Sequence, residues 1–226
     1  MKRVITVLLA VLLALSLAAC GSRVETKKLA GTWTCTIDVT DRMNAAAEQA
    51  LGLSAADGAA KMPLQLVLTV TEDGAYTLRY DSDAVRTALD AYAAALHPAA
   101  VESVYAAAEE QGLSREEYDA AMEKAGITMD DMVAAIFAGV DEEELLSLLT
   151  GRSAALTGYC RAESGQLYLA DTAAELAETA GCLSYTLSDG AMTWTDVQGE
   201  LSSQLTEEEQ ELLRVPLTWT KQEESK

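Results

Sequence analysis

The side chains that could carry out chemistry in this 226-residue chain are one histidine, four cysteines and 36 carboxylates. His97 is the only histidine, so the chain cannot form a metal site from several histidines. A Ser-His-Asp triad would use this one histidine and leave no second one. His97 precedes Pro98, where we expect a helix junction. The sequence has no G-x-S-x-G elbow, phosphate-binding glycine loop or EF-hand spacing. Close carboxylate pairs are almost inevitable among so many acids and indicate no particular reaction. We therefore expect a protein that is not an enzyme, with no metal and no cofactor.

Cys20 is the cysteine with the clearest chemistry. Lys2 and Arg3 precede an uncharged, apolar or small stretch at residues 4–19, the order typical of a secretion signal. This stretch is shorter than the roughly 20 apolar residues that cross a bilayer comfortably, which favours cleavage over a permanent span. Leu17-Ala18-Ala19-Cys20 resembles the lipobox of bacterial lipoproteins. The alternative is an ordinary signal peptide with a cysteine at its edge.

The lipobox resemblance implies a cellular location. The cysteine of a lipobox receives a diacylglycerol on sulfur and becomes the new N-terminus. The two acyl chains of the diacylglycerol anchor a protein stably to a bilayer, whereas a single acyl chain binds only marginally. It implies a signal peptide at residues 1–19, a lipidated tether at 20–28, and a location on the bacterial cell membrane, lipid-anchored and facing the extracytoplasmic side. The membrane is then a partner through the N-terminal anchor.

The charge excludes one class of partner. The formal net charge is −20, and it becomes −22 once Lys2 and Arg3 leave with the signal peptide. Nucleic-acid binding depends on clustered Lys and Arg, and the sequence has no such cluster, so we expect no nucleic-acid partner. The acids keep an Ala-rich protein soluble.

Eight short segments carry strand signals, most with period-two alternation. In the first, Trp33, Cys35 and Ile37 share one face and threonines occupy the other. One buried face and one solvent-exposed face are typical of strands in an antiparallel sheet. The segments are residues 31–39, 64–71, 75–80, 156–163, 166–170, 182–188, 191–196 and 215–221.

The connections between these strands alternate in length. Gly-containing turns of hairpin length join strands two and three, four and five, and six and seven, whereas the other four connections are long. An up-and-down arrangement places the tight turns at one end, the base, and the long connections at the other, the rim. We predict an antiparallel up-and-down eight-stranded barrel, α+β but mainly β, at residues 29–81 and 152–226.

Residues 82–151 predict an all-helical insertion between strands three and four. Glycines 112, 126, 139 and 151 can each end a helix. Capping pairs then start the next helices, and these pairs are Ser114 with Glu117, Thr128 with Asp131, and Asp141 with Glu144. The pattern predicts successive short helices, packed mutually or against the rim.

The strand order and the Gly31-x-Trp33 motif on the first strand resemble the lipocalin and calycin barrels, although no T-D-Y motif lies between strands six and seven. The resemblance implies that Trp33 plugs the closed base beside a basic residue from near the last strand, either Arg214 or Lys221. It also implies a ligand cup at the mouth. Trp219 is a second structural candidate for the base.

The barrel interior leaves two function classes open, because an eight-stranded barrel is wide enough either to be filled or to hold one small ligand. In the first, Tyr76, Tyr80, Tyr185 and Trp194 line a site for an apolar or lipid-like small molecule at the mouth, under the helical insertion. In the second, the protein is an envelope structural or protein-interaction module with a filled barrel and a helical face for an envelope protein partner.

The remaining cysteines, Cys35, Cys160 and Cys182, lie on strands one, four and six. Even the closest two strands have one strand between them, a separation of roughly 9–10 Å, which exceeds the usual reach of a disulfide. We predict three free thiols.

Overall fold

The computed structural model of the protein describes residues 25–53, 60–137, 155–177, 182–198 and 214–223. Its strands are β1 Gly31–Asp38, β2 Pro63–Val70, β3 Ala75–Tyr80, β4 Leu156–Glu163, β5 Gln166–Ala170, β6 Cys182–Ser188, β7 Ala191–Gln198 and β8 Leu217–Lys221. Its helices are α1 at residues 25–29, α2 Thr40–Leu51, α3 Ser82–Glu110, α4 Arg115–Ala125 and α5 Met129–Phe137, with a 3-10 turn at Glu175–Ala177. Cys20 and the lipobox lie outside the described residues.

The eight strands form a closed barrel in chain order, β1 to β8. Every registered neighbour pair is antiparallel, and β8 closes on β1 through Trp33 opposite Lys221. The predicted up-and-down barrel is confirmed, as is the position of a helical insertion between β3 and β4. The observed strand bounds lie within two residues of the predicted ones.

Tight turns close one end of the barrel, which we call the base. In the β2–β3 turn, Gly74 has a φ of 89°, and its carbonyl accepts a hydrogen bond of 2.7 Å from the Cys160 backbone N–H. A Cβ on Gly74 would lie 2.5 Å from the Cys160 carbonyl oxygen, so this turn requires glycine for space as well as for backbone conformation. The turns after β4 and β6 likewise contain Gly165 and Gly190.

Two compact units divide the described chain. The first, the barrel unit, contains residues 25–35, 66–80, 155–177, 182–198 and 214–223; the second, the helical unit, contains residues 36–53, 60–65 and 81–137. The far ends of β1 and β2 therefore group with the helices. The first long connection also holds a helix, α2, which the strand pattern of the sequence does not predict.

Helix α3 corrects the expectation for His97 and Pro98. It runs without interruption for 29 residues, so the His97–Pro98 step is not a junction between two helices. Its buried side chains continue with spacings of three and four on both sides of the proline, at Val85, Ala88, Tyr92, Leu96 and Ala100. Burial of this stripe outweighs the backbone hydrogen bond that a proline removes.

The predicted helix caps are present where the structure describes them. Ser114 and Glu117 form a capping box at the start of α4, and Gly126 ends that helix with a φ of 70°. The Thr128 backbone N–H donates to Asp131 Oδ2 at 2.8 Å at the start of α5. The pair Asp141 and Glu144 lies outside the described residues. With α3 as one long helix and α2 added, the described helices hold more residues than the strands, so the expected predominance of strand is wrong.

Within the helical unit, α2 and α3 are tied by a side-chain hydrogen bond. The hydroxyl of the buried Tyr92 donates to Asn44 Oδ1 at 2.7 Å, and burial raises the pKa of Tyr92. Of the helices that the structure describes, none combines the length and the apolarity needed to span a bilayer.

Candidate functional site

Helix α1 seals the base of the barrel. The Thr26 hydroxyl accepts a 3.0 Å hydrogen bond from the Ala162 backbone N–H, and Glu25 accepts one of 2.6 Å from Ser164 N–H. Lys27 pairs with Glu72 in the β2–β3 turn at 3.1 Å. Residues 25–28, which we expected to belong to the lipidated tether, are thus fixed to two base turns.

Trp33 is hydrogen-bonded to the last residue of α1 and is only 1% exposed. Its indole N–H donates to the Leu29 carbonyl at 2.7 Å, and the Lys221 ammonium lies 5.2 Å from its ring centroid. The basic residue over the tryptophan is therefore Lys221, one of the two candidates. A Cβ on Gly31 would lie 2.6 Å from Lys221 Cε, so the glycine of the Gly-x-Trp motif makes room for the lysine stem.

The other two tryptophans fill the base half of the interior. Trp219 is 0% and Trp194 4% exposed, and their ring centroids lie 4.8 Å apart at 47°. Met192 stands opposite Trp219 in the sheet and is also fully buried. Trp194, which we placed among the mouth residues, thus packs on the base residue Trp219.

The three tyrosines do not come together at the mouth. Tyr76 pairs with Val70 beside the β2–β3 turn, whereas Tyr80 pairs with Leu66 at the opposite end of β3. The four-residue step along the strand separates them by about 13 Å. The Tyr185 backbone N–H donates to the Gly165 carbonyl in a base turn at 2.8 Å. Burial is the largest cause that raises the pKa of the Tyr185 hydroxyl, and the charges of Glu25 and Cys160 raise it further. Of the four ligand candidates, Tyr80 alone lies at the rim end.

Leucines outside the predicted aromatic site form the rim-side wall of the interior. Leu78 and Leu156 stand directly opposite each other on β3 and β4, and Leu169 on β5 stands opposite Cys160. All three face inward, since they share a sheet face with buried Leu68, Cys160 or Leu167, and all three are half-buried. We call Leu78, Leu156, Leu169 and Tyr80 the leucine wall. Strand alternation in the sequence places these leucines on the inner face, and this is the signal that identifies them.

Small residues on β4 make space beside this wall. Gly158, Cys160 and Ala162 succeed one another on the inner face and are buried. A Cβ on Gly158 would lie 2.5 Å from the Ala170 carbonyl oxygen and 2.9 Å from Tyr76 Cε1. The Tyr76 ring therefore lies over Gly158, and a larger residue there would displace it.

The three described cysteines are free thiols, as predicted, and all are buried. Cys160 faces the barrel interior, whereas Cys182 pairs with Tyr168 on the outer face and donates to Gln166 Oε1 at 2.7 Å. Opposite faces of the sheet keep these two sulfurs apart. Burial raises the pKa of Cys35 and Cys182, and raises that of Cys160 to about 12.

We expect these thiols to be unreactive in the folded protein. A pKa of about 12 for Cys160, against an ordinary value of 9.0, lowers its thiolate fraction near pH 8 roughly a thousandfold. Alkylation with iodoacetamide, followed by peptide mapping, should label Cys160 rapidly only after denaturant is added. Equal labelling rates of Cys160 in native and denatured protein would contradict its placement.

Polar groups suited to metal chemistry are not assembled in the described part of the chain, which has no group of three or more His, Cys, Asp or Glu placed to hold a metal ion. His97 is paired instead with Asp130, Nε2 to Oδ1 at 3.0 Å, on the surface of the helical unit.

The arrangement that stands out is an apolar interior, closed at one end. Comparison with protein-family models, curated proteins and solved structures finds no match to this chain.

Proposed function

We propose that the protein is a membrane-tethered, extracytoplasmic, lipocalin-like binding protein that holds an apolar or lipid-like small molecule in its barrel. The observation that carries the proposal is the contrast between the two ends of the barrel unit. The base is sealed by α1, Trp33 and Lys221, whereas toward the rim the inward-facing leucine wall is only half-buried.

The leucine wall favours an apolar ligand for a simple physical reason. Removing apolar surface from water lowers the free energy by about 25 cal/mol per Å². An apolar ligand that covers the exposed parts of Leu78, Leu156 and Leu169 therefore gains binding free energy both from its own buried surface and from that of the leucines. Small-molecule sites are mostly apolar, with a few polar groups that fix orientation. No catalytic step is needed for such a role, and we propose a binding function without one.

The tether is the second part of the proposal. The lipobox-like sequence ending at Cys20 supports a lipid anchor, and α1 places residue 25 at the base. A short anchored segment would hold the base near the bilayer, so that the ligand reaches the barrel from the extracytoplasmic side.

One observation favours the second function class. Trp33, Trp194 and Trp219 fill the base half of the interior, as in a barrel that is packed by its own side chains. An envelope module that binds a protein partner through its helical unit would need no more than this. The two functions differ in whether the rim half accepts a small molecule.

A pair of tryptophan substitutions on β4 tests ligand binding. Leu156→Trp adds bulk to the leucine wall, whereas Thr157→Trp adds the same side chain to the exposed outer face one residue later. We expect the neutral probe N-phenyl-1-naphthylamine to bind the natural protein and Thr157→Trp alike, and Leu156→Trp at least about tenfold more weakly, because the added indole overfills the site.

Native mass spectrometry of protein extracted from its own membrane should also find a co-purifying small mass, lost in Leu156→Trp. Melting curves of both variants check that they fold. Probe binding that is absent, or equal in the two variants, would favour the envelope module.

A further inference from the structure

We propose that the ligand carries a hydrogen-bond-accepting oxygen at its polar end, and that the indole N–H groups of Trp194 and Trp219 receive it. The inference rests on the proposed binding function and names the chemical class of its ligand: a single-chain amphiphile whose head is a carboxylate or a carbonyl group.

The two indole nitrogens are the observation behind this inference. Both are buried, and neither has a hydrogen-bond acceptor among the residues that the structure describes. Trp33 is the internal contrast, since its indole N–H donates to the Leu29 carbonyl at 2.7 Å. Buried donors in proteins almost always have a partner, and leaving one without a partner disfavours the folded state. Two such donors on touching rings therefore call for a shared explanation.

Among the described residues, no neighbouring side chain accepts a hydrogen bond from either ring. Of the inward-facing neighbours in the sheet, Met192 and Leu217 carry no strong acceptor, and the Tyr185 hydroxyl, which could accept, is not bonded to either indole N–H. The contact between the rings, 4.8 Å between centroids, could provide only a weak N–H···π interaction. An oxygen brought by a ligand would satisfy the donors, and the flexible Met192 side chain, with three rotatable bonds, is the neighbour most able to move aside for it.

The same geometry orients the ligand. Trp194 and Trp219 lie in the base half of the interior, and the leucine wall lies toward the rim. An amphiphile would therefore enter head first, with its chain along Leu78, Leu156 and Leu169. The Lys221 ammonium over Trp33, two residues beyond Trp219 on the same face of β8, places a positive charge at this end of the barrel. A carboxylate head would gain from that charge, and a neutral carbonyl needs only the N–H groups.

Indole N–H resonances in ¹H–¹⁵N spectra test the inference directly, because the chain has three tryptophans and the bonded Trp33 serves as the internal reference. The probes are decanoic acid, its methyl ester and decylamine, which share a chain but differ in the head. We expect the acid to move the Trp194 and Trp219 resonances downfield and to leave that of Trp33 in place, whereas protonated decylamine, which has no acceptor, moves neither. A shift with the ester as well identifies a carbonyl as sufficient, and a shift with the acid alone identifies a carboxylate.

Failure of the inference and failure of the binding function give different results. If decanoic acid displaces N-phenyl-1-naphthylamine but the two resonances stay in place, or already lie downfield because water accepts from them, the inference is wrong and the binding function stands. If none of the probes binds, both are wrong. As a second measurement, Trp194→Phe and Trp219→Phe should each lower the affinity for decanoic acid, relative to that for the neutral probe, by about tenfold. An unchanged ratio in both variants would overturn the assignment.

Discussion

Replacing Trp33 by Ala is expected to lower the free energy of unfolding by about 3–5 kcal/mol, the usual cost of truncating a fully buried aromatic side chain. Trp33 connects three parts of the base: its N–H holds the Leu29 carbonyl of α1, its ring lies under Lys221, and its strand closes the barrel against β8. Alanine would leave a cavity and release the end of α1. Denaturant unfolding followed by far-UV circular dichroism measures the change.

Two milder variants separate the contributions at this position. Trp33→Phe keeps an aromatic ring and removes the hydrogen bond to Leu29, so its expected cost includes about 1 kcal/mol for that bond in addition to lost ring contacts. Lys221→Met keeps an apolar stem over the ring and removes the charge, with an expected loss of about 0.5–1 kcal/mol. An unchanged unfolding midpoint in Trp33→Ala would mean that this tryptophan does not plug the base, and the fold described here would be wrong.

The strands could be predicted closely because two independent signals agree along most of them. The bounds of β3, β4, β5 and β6 match the sequence prediction to the residue, since alternation defines each strand and a glycine turn marks one of its two ends. β8 is shorter than predicted, as it begins at Leu217 after Val215-Pro216, and a proline cannot donate to the sheet.

The helices were predicted less well, for two different reasons. The His97–Pro98 step predicts a break between helices, but helix interruption by one proline is a local cost, and the buried stripe of α3 spans many residues around it. α2 was missed because residues 40–51 are mostly small and polar, with only Met43 and Ala47 buried. Its existence depends on tertiary contacts such as the packing around Asn44 and Tyr92, which a short helix needs and a sequence pattern does not show.

The candidate site illustrates a general limit of strand periodicity. Alternation predicted which face Tyr76, Tyr80 and Tyr185 occupy, but it does not state how far along the barrel each one lies. That height follows from distance to the nearest turn: Tyr76 is two residues after Gly74, and Tyr185 precedes the β6–β7 turn. Counting from the turns would have placed both near the base and would have directed attention to Leu156, at the rim end of β4.

Replacing Cys20 by Ser is expected to move the whole protein from the membrane to the soluble fraction. Serine has no thiol to accept a diacylglycerol, and without acyl chains the acidic chain, with a formal charge of −22 once the signal peptide is removed, has no attraction to an anionic bilayer. Fractionation of cells followed by immunoblotting measures the distribution. Cys182→Ser is the matched control, since it removes one thiol and keeps Cys20. A Cys20→Ser protein that stays with the membrane would refute the lipid anchor.

The intact anchored protein should also show which end of the barrel lies near the bilayer. Four residues, Gly21 to Val24, separate Cys20 from α1, and such a segment reaches at most about 14 Å even when extended. Because α1 is fixed to the base, this tether should hold the base turns close to the lipid. Asp73 lies in a base turn, whereas Asp171 follows β5 at the opposite end, and both are exposed. With fluorophores at cysteines introduced at these positions, labelled lipid in vesicles should quench Asp73→Cys more strongly than Asp171→Cys. The β4 strand between the two ends spans about 26 Å, which makes the difference measurable. Stronger quenching of Asp171→Cys would place the leucine wall toward the membrane, and a ligand would then enter from the lipid side.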